Sequence, residues 1–575
     1  MKDSFIKGLP LVEFDKMPYE RPDFKSFEAK FSDSMKKFEI AKNVEEQIEE
    51  FGELQRLEAH LDTMRTLCSI RNSIDTTDEF YEKETAFFDE FGPQFANLFN
   101  EFNKIFVKSK FRNELEKEFG EHIFNLIEME LKVFDPKIME ELVIENKLVT
   151  QYSKLVASAQ VEFDGKKLTL SQLSPYTQNV DREVRKNANE AVWGFFEEHE
   201  KEFDQIYDEL VKVRTKIAKK LGYENYVQLG YDRLNRTDYN SKMVENYRKQ
   251  IFEEIVPLKN ALVERKRKRL GLDKMYYYDA GLSFKTGNAV PKGKEEWILD
   301  QAKKMYSELS PETDEFFKMM LKYNLLDVMS KKGKAAGGYC TGILDYKVPF
   351  IFANFNGTAG DVTVMTHEAG HAFQAYQSRN AKIISYGWPT LEACEIHSMS
   401  MEFFTWPWME LFFKDQTEKF KFSHLSGAVN FMPYGATVDE FQHWVYENPE
   451  ATPQERKSKW SEIEKKYQPH IDYADNDFLK RGGFWFRQGH IFSMPFYYID
   501  YTLAQVCALQ FWVRMNKDKK EAWTDYLKLC EIGGAHPFLK LLEIANLKNP
   551  FNEGCIAYIT PDVKKWLDSV DDSQM

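Results

Sequence analysis

The amino-acid sequence predicts a mainly α fold with one small β-sheet. Three observations support this prediction. Only 28 glycines and 20 prolines occur in 575 residues, so long segments are free of helix-breaking residues. The composition, 43% hydrophobic and 30% charged, is typical of a globular chain. Apolar residues also recur every three or four positions over many segments, which is the period of an amphipathic helix.

The first predicted element is one long amphipathic helix from Phe27 to Met64, bent near Gly52. Alternating β-branched and aromatic residues in VPFIFANF, residues 348–355, predict a strand, and Pro349 near its start favours the edge of a sheet. Further helices are predicted at 78–107, 110–130, 180–220, 240–270, 295–325, 455–467 and 520–530.

Residues 361–379 are predicted to form a helix that contains the pentapeptide His367-Glu368-Ala369-Gly370-His371. Asp361 is a favourable N-cap residue, and no proline interrupts the segment that follows it. Positions i and i+4 of a helix share a face, so both imidazoles can reach one metal ion. Glu368 projects about 100° away from His367, toward a side of the metal where water can bind. This layout is typical of zinc peptidases.

A third ligand has to come from another segment. The metzincin pattern requires glycine and histidine three and six positions after the second motif histidine, where this chain has Gln374 and Gln377. The segment from Pro389 to Glu410 predicts a second helix that can supply a glutamate or a histidine.

Three residues of this second helix are candidate ligands: Glu392, Glu395 and His397. Spacing favours Glu395, because Ser398 and Glu402 share its face. Glu402 is then placed to orient a metal-bound imidazole by hydrogen bonding. Glu392 fits a charge in the first helical turn, which the helix dipole favours.

Segments outside the pentapeptide show a family resemblance. Lys331–Gly342 (KKGKAAGGYCTG) and Val348–Thr358 resemble a Gly-Tyr loop and an edge strand that precede a zinc-binding helix. The pattern Glu395-x-x-Ser398-x-x-x-Glu402 matches a third-ligand helix, and RQGHIFSMPFYYIDYTLAQ resembles a late segment with a histidine and tyrosines. Together these motifs resemble the thimet oligopeptidase and oligoendopeptidase F family of zinc metallopeptidases, and most of all its bacterial oligoendopeptidase F-like members.

The resemblance implies one Zn²⁺ per chain, held by His367, His371 and Glu395. Glu368 is then expected to act as the general base that takes a proton from water and passes it to the leaving amine.

The late segment is expected to stabilise the oxyanion. The resemblance assigns this role to His490 and Tyr501, with either Tyr498 or Tyr497 assisting. The family spacing differs somewhat here, since Pro495 lies between the histidine and the tyrosines. Aromatic residues at helical spacing are also typical of a packed core, which is the alternative interpretation of this segment.

Two further segments are expected to bind substrate. The loop residues Gly337, Gly338 and Tyr339 are predicted to close over the site, because paired glycines give the backbone freedom. Phe350 and Ala353 belong to the predicted edge strand, which could take up an extended peptide by β-augmentation.

The resemblance further implies a two-lobed helical body around a deep channel. We expect an N-terminal helical lobe over residues 1–160 and a catalytic region over residues 161–575, with an approximate boundary. The expected function is an endopeptidase for short unstructured oligopeptides. Two alternatives remain: an exopeptidase such as a carboxypeptidase on a similar helical fold, and a non-catalytic metal-containing peptide-binding protein.

Net charge, targeting signals and cysteine spacing bear on the binding partners and the location of the protein. A net charge of −14 disfavours nucleic acid and anionic membranes. The N-terminal residues lack a signal-peptide core, and no stretch approaches 18 apolar residues. Six cysteines are widely spread without a CxxC pair, so a cytoplasmic location is expected. The sequence makes no prediction of oligomeric state.

Overall fold

Helices make up most of the chain, as the sequence predicts, and the strands form only two small sheets. The computed structural model describes residues 4–331, 333–335, 337–573 and 575. The chain forms two compact units of three segments each. Unit 1 comprises Met1–Leu131, Val290–Lys414 and Arg514–Leu547, and unit 2 comprises Lys132–Ala289, Asp415–Val513 and Lys548–Met575. The division into lobes at residue 160 stays a prediction.

Unit 1 contains most of the N-terminal helices and the pentapeptide. Its helices are Phe24–Ile40, Val44–Ile74, Glu79–Val107, Arg112–Phe119, Glu295–Leu309, Pro311–Lys322, Ala359–Gln377, Leu391–Phe404, Met409–Phe413, Lys519–Ile532 and Phe538–Ile544. The helix His122–Val133 begins in unit 1 and ends in unit 2. A phenylalanine-rich core, including Phe31, Phe38, Phe51 and Phe106, packs the first helices together.

The prediction of one helix from Phe27 to Met64 is wrong, because residues 41–43 separate two helices, Phe24–Ile40 and Val44–Ile74. Asn43 starts the second helix by accepting a hydrogen bond from the backbone N–H of Glu46, at 2.9 Å. Gly52 causes no break and lies inside that helix. A Cβ at Gly52 would be only 2.6 Å from the Phe5 ring, so close packing explains this glycine.

The predicted helix at 110–130 is also divided. Gly120 adopts a φ of 88°, which ends the helix Arg112–Phe119. The Tyr386 hydroxyl bridges the break, donating to the Phe119 carbonyl at 2.9 Å and accepting from the Ile123 N–H at 3.0 Å.

Unit 1 also contains a three-stranded sheet with the strand order β3-β5-β4. The strands are β3 (Leu326–Met329), β4 (Tyr339–Ile343) and β5 (Val348–Phe355). The prediction of an edge strand at 348–355 is therefore wrong. β5 is central, parallel to β3 and antiparallel to β4, and β4 is an edge strand of this sheet.

Unit 2 is built around a helix that the sequence did not predict, Thr417–Glu447. Its other helices are Met139–Ala157, Leu170–Thr177, Arg182–Glu198, Glu200–Leu221, Tyr226–Arg233, Ser241–Gln250, Val256–Leu270, Pro453–Tyr467, Asp477–Lys480, Gly489–Ser493 and Cys555–Ser569. The helix Tyr498–Met515 lies mostly in unit 2, and the hairpin of β1 (Val161–Phe163) and β2 (Lys166–Leu168) lies wholly within it.

Fully buried Arg214 anchors the segment that directly follows the late histidine, His490. Its guanidinium pairs with Glu145 at 2.6 Å and donates to the Phe492 carbonyl at 2.6 Å.

Within the described part of the chain, no helix has both the length and the apolar character needed to cross a bilayer.

Candidate active site

Two helices of unit 1 hold the predicted metal ligands. We call Ala359–Gln377 the motif helix and Leu391–Phe404 the ligand helix. The motif helix begins two residues before the predicted start, with Thr358 at the N-cap. The carboxylate of Asp361 instead accepts hydrogen bonds from the backbone N–H groups of Asn356 and Gly357, at 3.0 and 2.6 Å. These bonds fix the loop from which the helix starts.

Gly370 lets the two helices approach closely. A Cβ at this position would lie 2.6 Å from Ser398 Cα and 2.7 Å from the His397 carbonyl oxygen. Both contacts are with backbone atoms, so only glycine fits without separating the helices. Sequence analysis did not assign this role, although a glycine inside a helix between two ligands was a signal of close packing.

The close approach brings Glu395 to both motif histidines. Glu395 Oε2 lies 3.3 Å from His367 Nε2 and 3.6 Å from His371 Nε2. The ligand atoms of these three residues all lie within 4.8 Å of one another. Two nitrogens and one oxygen at this separation fit a four-coordinate metal with one position left open.

Hydrogen bonds orient this ligand set. His367 Nδ1 lies 2.7 Å from Glu402 Oε1, so the other ring nitrogen faces the metal position. The Ser398 hydroxyl donates to Glu395 Oε2 at 3.0 Å and restrains that carboxylate. Glu402 and Ser398 are therefore hydrogen-bonded to two of the three predicted ligands.

The rejected candidates have other surroundings. The side chain of His397 is fully buried, and its ring lies 6.3 Å from the Tyr526 ring. Glu392 is in the first turn of the ligand helix, as predicted, but is buried. Gln374, which occupies the metzincin glycine position, donates to the Ser378 hydroxyl and the Gly387 carbonyl. It fixes the end of the motif helix to the loop that follows.

Burial sets the protonation of the site. It lowers the pKa of His371 to about 4, so its imidazole is neutral and available as a ligand. Burial would raise the pKa of Glu395, but the hydrogen bond from His367 and the electrostatic interaction with the two imidazole rings lower it to about 2. Burial raises the pKa of Glu368 to about 7, and the charges of Glu395 and Glu402 add to this effect. Such a pKa suits a general base.

Strand β4 starts beside Glu368. A Cβ at Gly338 would be 3.8 Å from Glu368 Oε1 and 3.3 Å from the Phe352 carbonyl oxygen. Gly337 has a φ of 92°, and the Tyr339 ring stacks on Phe352 at 4.9 Å. Lys332 and Ala336, which belong to the segment compared with the Gly-Tyr loop, lie outside the described residues.

The predicted contacts of Phe350 and Ala353 with substrate require a correction. Each is only 1% exposed, and the strand that contains them is paired on both sides. A central strand has no free backbone edge for a peptide. β4 has such an edge, since the described part of the sheet pairs it with β5 alone.

The late histidine and the three tyrosines form one cluster in unit 2. The His490 ring lies 5.7 Å from Tyr497, 5.1 Å from Tyr498 and 5.7 Å from Tyr501. All four side chains are half-buried, unlike a closed aromatic core. Burial raises the pKa of Tyr498, which keeps its hydroxyl protonated as a donor. Both Tyr497 and Tyr498 contact the histidine, so the choice between them stays open.

Sequence analysis missed three residues that support this cluster: Gln488, Arg236 and Gly230. Gln488 Nε2 lies 2.7 Å from His490 Nδ1. Phe496 has a φ of 68°, and Arg236 donates to its carbonyl at 2.6 Å and to Asp500 at 2.5 Å. Gly230 lies against the Phe496 ring, which a Cβ would approach to 2.5 Å. Arg236 and Gly230 are more than 250 residues away from the segment they support, so no local pattern could reveal them.

Removing the carboxylate of Glu402 tests its orienting role. We expect Glu402→Gln to weaken metal binding about 10- to 100-fold, because the His367 ring loses its charged partner. Metal affinity measured by competition with a chelator checks this. Glu418→Gln, an exposed change in unit 2, should leave the affinity unchanged. Unaltered affinity in Glu402→Gln would contradict the role.

Comparison with known proteins places the chain in a family. The family model described as peptidase family M3 matches residues 175–560, and the one described as the peptidase M3 N-terminal domain matches residues 14–134. The chain resembles an oligoendopeptidase F homolog of Borreliella burgdorferi, with 23% identity over 71% of this chain and 70% of the relative. Group B oligopeptidase PepB of Streptococcus agalactiae is 24% identical over 83% of both chains.

A solved structure is much more similar. PZ peptidase A with an inhibitor shares 55% sequence identity and has a TM-score of 0.93. The match covers 98% of this chain and 100% of that chain. It confirms the mainly α fold that the sequence predicts.

Proposed function

Because the chain belongs to peptidase family M3, we propose that it is a zinc-dependent endopeptidase that cleaves internal bonds of short, unstructured oligopeptides. The proposal rests on one observation above all: His367, His371 and Glu395 converge on one point, with Glu368 beside them and not among the ligands. A site without a catalytic role would have no use for an additional, half-buried base with a raised pKa.

In this proposal His367, His371 and Glu395 hold the metal. Zinc suits their two nitrogens and one oxygen, and when bound it supplies Lewis-acid chemistry that polarises a carbonyl and acidifies water. Glu368 accepts the proton of the attacking water and donates it to the leaving amine, so its carboxylate is regenerated with each bond cleaved.

We assign the oxyanion donors to His490 and Tyr501, with Tyr497 or Tyr498 assisting. Their mutual contacts within unit 2 support this assignment, as does a half-buried setting in which polar tips remain accessible. Gln488 restrains the His490 ring through Nδ1, which would leave Nε2 to face a substrate. Loss of one such donor typically reduces turnover 10²- to 10³-fold.

We also assign the peptide-docking edge to β4 instead of β5. The start of β4 is close to Glu368, and its far end, at Thr341 and Gly342, borders a cavity of about 520 Å³ within unit 1. An extended peptide paired with β4 would therefore run from the general base toward this cavity. Backbone pairing of this kind accepts many sequences, as an oligopeptidase requires.

Blocked peptides test the proposed activity. An internally quenched peptide of about ten residues, acetylated and amidated at its ends, should be cleaved at an internal bond, with both fragments seen by mass spectrometry. Chelation should abolish cleavage, and one equivalent of Zn²⁺ should restore it. Cleavage that occurs only when a terminus is free would identify an exopeptidase instead. Stoichiometric zinc without any cleavage would favour a peptide-binding protein.

A further inference from the structure

A second cavity lies wholly within unit 2, and none of its lining residues has been given a role in the proposed reaction. Its volume is about 310 Å³. Its wall is largely aromatic, with Tyr276, Tyr277, Tyr434, Tyr473 and Phe484 among the lining residues. A cavity of about 150 Å³ already accepts benzene, so this one has room for an aromatic ring with a short polar chain.

Four cationic or titratable nitrogen side chains line the same cavity: Lys259, Lys266, His470 and Arg487. Among the described residues, no carboxylate lies within ion-pair distance of Lys259 or Lys266. Both ammonium groups donate to neutral oxygens, that of Lys266 to the Ala280 carbonyl at 2.6 Å. Asp472 also lines the cavity, but its carboxylate pairs with Lys274 at 2.5 Å. The cavity therefore has an excess of positive charge.

Lys259 is the most unusual of these groups, because it is only 5% exposed. Its ammonium donates to Gln468 Oε1 at 2.8 Å, a neutral acceptor. The Glu464 carboxylate acts on the Lys259 ammonium only at longer range. It accepts hydrogen bonds from Tyr473 and Trp460 instead. A buried ammonium without an adjacent anion is costly, and a ligand anion would remove that cost.

Other observations agree with a missing anion. Burial lowers the pKa of both Lys259 and Lys266 to about 7, and the longer-range charges of Glu464 and Asp279 do not offset this effect. Gln468 is 5% exposed, and its Nε2 has no hydrogen-bond partner among the described residues. An N–H donor of this kind, buried at a cavity wall, requires an acceptor.

We propose that this cavity binds an organic carboxylate with an aromatic body. The carboxylate pairs with Lys259 and Lys266 and accepts a hydrogen bond from Gln468 Nε2, while the ring packs among the tyrosines. The ligand is either a free aromatic acid or the C-terminal carboxylate of a peptide that ends in an aromatic residue, since both present the same groups.

The cavity is connected to the His490 cluster. Tyr434, in the cavity wall, donates from its hydroxyl to Gln488 Oε1 at 2.8 Å, and Gln488 in turn contacts His490. The Tyr434 ring also meets the Tyr498 ring edge-on, at 5.6 Å. The ring of a bound aromatic acid would therefore pack against Tyr434, whose hydroxyl holds the Gln488 that contacts His490.

Calorimetric titration of the zinc-loaded protein with 3-phenylpropionate tests the proposal. We expect the acid to bind at least tenfold more tightly than 3-phenylpropanol, which has the same ring and no charge. Lys259→Met should weaken binding of the acid at least tenfold. Lys564→Met, which replaces an exposed lysine of unit 2, should leave the affinity for the acid unchanged. Equal affinity for acid and alcohol in the unaltered protein would overturn the proposal, whether or not the variant folds.

Because carboxylates also bind metals, the titration is repeated with His367→Ala. Retained affinity in this variant supports the cavity, whereas loss there with full affinity in Lys259→Met would locate the ligand at the metal and refute the proposal. A second titration, with N-acetyl-Ala-Phe and its amide, distinguishes a free aromatic acid from the C-terminal end of a peptide. Preference for the peptide acid over both its amide and 3-phenylpropionate identifies a peptide end, and preference for 3-phenylpropionate identifies a free acid. The binding result does not depend on peptidase activity, which the quenched peptide measures separately.

Discussion

Replacing Glu368 by glutamine should lower kcat by about 10²- to 10⁴-fold while the protein retains its metal. Glutamine keeps the size and the hydrogen-bonding capacity of the side chain but cannot accept and return a proton. Glu368 is not among the three converging ligands, so metal binding has no reason to change. The effect should fall on kcat more than on KM, because the proton is transferred only after the peptide is bound.

The comparison needs three measurements on one preparation: metal content, kcat with the blocked peptide, and Tm. Glu402→Gln is the matched variant, since it removes a nearby carboxylate of the same type and should weaken metal binding first. Near-normal turnover in metal-loaded Glu368→Gln would exclude Glu368 as the base. Loss of metal from this variant would indicate that Glu368 is a ligand.

The sequence was sufficient for features that depend on local spacing. His367 and His371 share a helix face because of their four-residue separation, and Glu395, Ser398 and Glu402 follow the same rule on the ligand helix. These patterns needed only the period of a helix. The packing of one helix on the other was not predictable from spacing, because it depends on Gly370 meeting the backbone of another segment.

Longer-range features were missed for two physical reasons. The strand 348–355 was assigned to a sheet edge because of Pro349. Its pairing with β3, which ends almost 20 residues earlier, has no local signal in the sequence. The helix Thr417–Glu447 contains Pro433 and Gly435, which predict a break. Close approach of Thr502, 2.2 Å from a Cβ at Gly435, explains that glycine by tertiary packing.

Replacing Gly370 by alanine should weaken metal binding about 10- to 100-fold and lower Tm, although alanine is the better helix former. Inside a helix the exchange favours alanine by about 1 kcal/mol, whereas forcing an extra methyl group into packed atoms typically costs about 1–3 kcal/mol. Here the methyl group would meet the Ser398 Cα and the His397 carbonyl, neither of which can rotate away. The ligand helix has to shift, and Glu395 shifts with it.

Gly194→Ala is the matched control, because Gly194 is also inside a helix but has no atom within 4 Å of its added Cβ. That variant should keep its metal affinity and show an unchanged or raised Tm. If Gly370→Ala behaved like this control, with full metal affinity and normal turnover, the separation of the helices could not be what positions Glu395. The contrast between two identical substitutions isolates the contact between helices from helix propensity, which a single variant cannot do.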